Sequence, residues 1–197
     1  MSIVLKKQVI YQILFFACVA VPYLNIYEAT FGVWAFAVLI TIKNRYSFTL
    51  LHYVSCFVAI LLIALISSFY ETDIKTYDFL RDFAYLLKPI LGLILGYQLF
   101  KGYFKNPLII LVNTGFAIAV IHLAVICYSV AFLRITSMHI LREHSGYFSD
   151  FEVYAIIILI FRKQFQLEIS EKKYRYAMAV LAISIIFYLA RTNFIQF

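Results

Sequence analysis

Charged side chains are scarce in this sequence. Asp, Glu, Lys and Arg make up 14% of its 197 residues, where a soluble domain carries about 25%. So low a share excludes both a charged disordered tail and an ordinary water-exposed globule. Only 3 prolines and 6 glycines are present, too few for a loop-dominated or collagen-like chain. The 3 cysteines, Cys18, Cys56 and Cys127, each lie inside an apolar run with no CxxC spacing. They read as small buried hydrophobes rather than disulfides or metal ligands. There is also no phosphate-cradling glycine loop, no HExxH and no GxSxG.

What is present is apolar. Hydrophobic residues make up 64% and aromatics 19%, and the mean hydropathy is +0.91. This composition implies an integral membrane protein, all-α, folded as a polytopic helix bundle in the lipid bilayer. A membrane-crossing helix needs about 20 mostly apolar residues. Spans are expected near 8–24, 27–42, 49–70, 83–100, 108–133, 150–166 and 175–192, about seven in one transmembrane domain covering 1–197. The sixth is interrupted by Arg162 and is expected to extend to about Gln166, with Arg162 and Lys163 snorkelling to the interface. Lys6 and Lys7 precede the first apolar stretch as in a signal peptide. "ACVAVPY" offers no convincing cleavage site, however, and apolar sequence resumes at once, so an uncleaved first span is expected.

The net charge of +7 is read as membrane sidedness rather than affinity for nucleic acid. Across those seven spans, 11 of the 17 basic residues fall on the side of the N-terminus and 6 on the other. Of the acids, only Glu168 and Glu171 fall with the larger basic set. The positive-inside bias therefore puts the N-terminus in the cytoplasm. The stretch "LREHSGYFSDFEVYA", Leu141 to Ala155, is then outside, as is "YLARTNFIQF" near Arg191.

Part of that outer stretch is explained by local structure. "SDFE" matches a capping box, with Ser149 as N-cap and Glu152 reaching back. Asp150 suits the positive end of the helix dipole, and Gly146 suits the turn before it. Capping does not explain Arg142 or His144. If Leu133 to Glu143 is helical, Arg134, Met138 and Arg142 share one stripe. Arg142 is then either a weak surface ion pair or a ligand for an anion such as phosphate. His139 and His144 with Asp150 and Glu152 could suggest metal ligands, but capping accounts for two of the four, and no metal is assigned.

Within the spans, His122 is an intramembrane ionisable group. It is read either as functional or as a neutral His bonded to a neighbouring helix. Lys88 lies inward of Asp82 with a stem long enough to snorkel. "KPILGLILG" adds Pro89 and a GxxxG pair, Gly92 and Gly96, suited to close helix packing.

"REHSGYFSD", opening a helix from the outer side, resembles an element of the O-antigen ligase and O-antigen polymerase family of bacterial inner membranes. "FYLARTNFIQF" resembles that family's Ser-Arg element, and "RDFAYLLKPILGLILGYQLF" resembles its basic, Gly-containing earlier span. On this resemblance Arg142, Gly146, Phe148 and Arg191 match motif positions. The chain departs from the family at "DFE", at Ala190 where the family has Ser, and in the Arg-to-Gly spacing.

The resemblance implies a GT-C-like enzyme that joins sugar units carried on undecaprenyl pyrophosphate, alongside other polysaccharide-assembly membrane proteins. No nucleotide, metal or other cofactor would be needed. Arg142 and Arg191 would hold the diphosphate with Arg81 and Lys88 behind them; His144 could act as a base, although the resemblance places the family's base elsewhere. Family members are about twice as long, so on this resemblance the chain looks like an N-terminal portion, a truncated gene product or a split protein. A transporter or flippase fragment, and a non-catalytic scaffold using the GxxxG face, are the other readings.

Overall fold

A computed structural model describes residues 2–24, 26–43, 45–68, 70, 76–137, 140–141, 144 and 149–188. Among these residues the chain is helical, with no strand. It divides into two compact units, Met1–Lys105 and Asn106–Phe197.

The first unit holds α1 (Ser2–Ala20), a short 3₁₀ turn (Val21–Leu24), α2 (Tyr27–Ile40), α3 (Phe48–Ser68) and α4 (Thr76–Gly102). Ser47 caps α3 by accepting the Leu50 N–H at 3.2 Å. The 21 residues of α3 rise about 31 Å at 1.5 Å each, which matches a hydrocarbon core of about 30 Å. α4 starts earlier than expected because its first turns carry their own charges. Arg81 bridges Asp78 at 3.1 Å and Asp82 at 3.4 Å on an exposed face. Asp78 near the start and Lys101 near the end both suit the helix dipole.

α4 packs against α2 and α3. Gly92 faces α2: a Cβ there would stand 3.3 Å from the Trp34 ring, whereas one at Gly96 would meet nothing within 4 Å. Only the first glycine of the expected pair is thus a packing position. Trp34 also fastens α2 to α1, its Nε1 donating to the Cys18 carbonyl at 2.7 Å. Phe15 of α1 meets Phe100 and Phe104 edge-to-face.

The second unit holds α5 (Pro107–Ala131), α6 (Ser149–Ile160) and α7 (Glu171–Tyr188). Pro107 opens α5 at a position where its missing N–H is not needed. The helix ends where Arg134 turns left-handed at φ 53°. Leu133–Ser137 is consequently not helical, which removes the first member of the expected Arg134–Met138–Arg142 stripe.

α6 stops at Ile160 rather than continuing to Gln166, and turns follow. The Arg162 guanidinium pairs with Glu171 and lies 3.7 Å from the centroid of the Tyr174 ring, and Leu167 N–H closes the turn on the Arg162 carbonyl at 2.9 Å. Ser170 then caps α7, accepting the Lys173 N–H at 3.4 Å.

Three described helices, α3, α4 and α5, are long and apolar enough to cross a membrane. Gln8–Tyr23 and Tyr27–Ile40 are shorter apolar helices. A membrane helix bundle is therefore the architecture.

Candidate functional site: a buried polar chain

The buried face of α5 includes Val112, Gly115, Ala119, His122, Ile126 and Ser129. These positions alternate three and four residues apart, the spacing of a helix seam facing a partner. At Gly115 the partner is the backbone itself: an added Cβ would stand 2.5 Å from the Phe151 carbonyl oxygen and 2.6 Å from the Ala155 Cβ. Small residues are what let two membrane helices approach this closely. Val153, Ala155, Ile156 and Leu159 of α6, with Leu181 and Ile185 of α7, complete an apolar core around the seam.

Three polar groups meet inside that core. Ser184 Oγ of α7 donates to Glu152 Oε1 of α6 at 2.8 Å, and His122 Nδ1 of α5 stands 2.7 Å from the same Ser184 oxygen. Glu152 and Ser184 are fully buried and His122 is 2% exposed. Glu152 Oε2 has no hydrogen-bond partner among the described residues.

Glu152 is thus not the N-cap partner expected from "SDFE"; it turns into the core instead. Its side chain is fixed by a residue 32 positions later, which local pattern cannot reveal. For His122, the structure finds a bond to a neighbouring helix.

A serine hydroxyl has one proton, which restricts how this chain can be ordered. When Ser184 donates to Glu152, its oxygen accepts from a protonated His122 Nδ1. When a protonated Glu152 donates to Ser184, the hydroxyl turns to His122 Nδ1. The two arrangements use the same three atoms and differ only in where the protons sit. Chemically the chain can store or pass a proton within apolar surroundings, where an ionisable residue is a functional candidate by default.

Arg142 and Arg191 lie outside the described residues, as do Gly146 and Phe148. His144 is exposed. Arg81 is occupied by Asp78 and Asp82. Lys88 reaches back one turn towards the start of α4, its Nζ 4.3 Å from the centroid of Tyr85. Among the described residues no three His, Cys, Asp or Glu side chains gather to hold a metal. No protein-family model matches this chain, and neither does any curated protein or solved structure.

Proposed function

We propose that this chain is part of a membrane glycan polymerase or ligase, a multi-pass bundle of about seven spans in a bacterial inner membrane. It joins sugar units carried on undecaprenyl pyrophosphate at the outer face, for surface polysaccharide or O-antigen assembly. One observation carries the reading beyond motif resemblance: the hydrogen bond between Glu152 and Ser184. It fastens the first turn of α6 to the last turns of α7. "REHSGYFSD" leads into that end of α6, and "ARTNF" follows that end of α7. Both motif-like elements therefore adjoin neighbouring helix ends, which supports a shared site for Arg142 and Arg191.

In this reading the acceptor hydroxyl attacks the sugar carbon bearing the diphosphate, and the carbon–diphosphate bond breaks. Guanidinium groups match phosphate oxygens bidentately and offset the charge gathering on the leaving group. Arg142 and Arg191 carry that role. Arg81, which two carboxylates already hold, and Lys88 are the lesser candidates for that role. His144, exposed on the same connecting segment, is the candidate base. The test is glycan assembly in cells carrying Arg142→Ala or Arg191→Ala, with membrane levels of the protein checked. Both variants should abolish assembly; normal glycan with the variant proteins present in the membrane would end the proposal.

The buried chain favours a second reading, proton-coupled transport or flipping of a lipid-linked sugar. Glu152→Gln in reconstituted vesicles separates the two. Loss of a proton-driven flux would support transport, and the absence of any flux in the unaltered protein would reject it.

A further inference from the structure

A second built cluster lies in the first unit, where α2 and α4 end. Lys101 is in the last turn of α4, and Lys43 follows α2 by three residues. Their ammonium groups share one ring: Lys43 Nζ is 5.6 Å and Lys101 Nζ 5.1 Å from the centroid of Tyr97. Lys43 Nζ is also 5.6 Å from the centroid of Tyr103. Neither lysine has a carboxylate within ion-pair distance among the described residues.

The platform beneath them is anchored. Thr41 Oγ1 lies 2.7 Å from Gln98 Oε1, and Gln98 Nε2 donates to the Tyr46 hydroxyl at 2.7 Å. The same hydroxyl accepts the Lys43 backbone N–H at 3.2 Å. Gln98 and Thr41 are fully buried, and Tyr11 lies against Tyr103, the rings tilted by 30° with centroids 3.7 Å apart. Gly102 completes the seat, because any Cβ there would collide with the Lys43 ammonium.

The carbonyl ends of α2 and α4 and the tyrosine faces offset part of the two charges. Neither supplies a full counter-charge. Burial draws the Lys43 ammonium below its ordinary titration range; Tyr97 and Tyr46 act the opposite way, and Lys101 reinforces the lowering. A negative ligand would raise it again. The cluster also sits where apolar helices end and tyrosines gather, the composition of a headgroup-level belt.

We propose that Lys43 and Lys101, seated on Tyr97 and Tyr103, bind the phosphate of an anionic phospholipid headgroup. This proposal does not rest on the glycan reading.

Native mass spectrometry of the full chain in neutral detergent, titrated with phosphatidylglycerol or phosphatidylcholine, tests this. Phosphatidylglycerol should bind preferentially. Lys43→Gln and Lys101→Gln should each weaken it about fivefold, the effect of one basic residue at an anionic surface. Tyr97→Leu leaves every charge in place but removes the ring that both ammonium groups share, and it should weaken binding similarly. Lys163→Gln, an exposed lysine of the second unit, should change nothing. An equal loss with Lys163→Gln, or full binding with Tyr97→Leu, would reduce the effect to unspecific charge and overturn the site. Displacement of the lipid by millimolar inorganic phosphate would reassign it to free phosphate and overturn the lipid assignment.

Discussion

Ser184 and Glu152 are 32 residues apart in sequence and 2.8 Å apart in the fold. One hydroxyl thereby joins α6 and α7, and through His122 Nδ1 it joins α5 as well. All three side chains are withdrawn from solvent, so each bond is made where no water can replace it.

Ser184→Ala should therefore cost about 1–3 kcal/mol, the penalty of leaving a buried polar group without its partner. Glu152→Gln keeps a neutral acceptor facing Ser184 and should cost less than Ser184→Ala. Thermal unfolding of the detergent-purified variants gives the order, and an unchanged midpoint for Ser184→Ala would show that the chain adds no stability.

The two glycine environments differ in a way substitution can measure. Gly115→Ala drives a methyl into the Phe151 carbonyl and Ala155, neither of which can swing aside. Overpacking of this kind costs about 1–3 kcal/mol. Gly96→Ala meets nothing within 4 Å and should stabilise α4 by about 0.5–1 kcal/mol through helix propensity. If unfolding midpoints moved alike for both, the close approach of α5 and α6 would be refuted.

Arg162 uses both its planar face and its charge, against Tyr174 and Glu171. Arg162→Lys keeps only the charge, and the two residues are not interchangeable at stacked sites. It should recover less than half of the stability lost in Arg162→Ala, read by unfolding of both variants. Full recovery by lysine would show that the ring contact contributes nothing.

Sidedness can be tested independently of activity. In a chain whose Cys18, Cys56 and Cys127 are replaced, single cysteines at His144 and Lys172 should react with an impermeant maleimide from opposite faces of the membrane. Both positions are exposed. Labelling from one face would move Arg142 to the cytoplasmic side and remove the basis of the glycan reading.

Helix positions were largely readable because apolar run length and caps are local properties. α3 and α5 fall within two residues of the expected spans, and Pro107, Ser47 and Ser170 mark starts that can be seen in the sequence. The facing of those helices was much less readable. α5 is apolar on every side, so its seam shows only through the small and polar residues Gly115, Ala119, His122 and Ser129. Of these, His122 stands out by its ionisable ring, while "GFAIA", a small-xxx-small pair, is the sequence trace of the close approach at Gly115.

Ser184, a lone serine in "AISIIF", gave no sign that it receives two partners. Glu152 fitted a capping pattern well enough to hide its long-range role. The Lys43 and Lys101 contacts were not readable, because cation–ring contacts across helices leave no spacing signature. Each of these arrangements depends on which helix lies alongside, and that is decided by tertiary packing rather than by neighbours in sequence.

The Glu152–Ser184 bond also sets an order of events during synthesis. Glu152 leaves the ribosome 32 residues before Ser184, and a buried polar group without its partner costs about 1–3 kcal/mol. Closing α6 onto α5 is thus unfavourable until α7 emerges behind it, and the two should dock together as a hairpin.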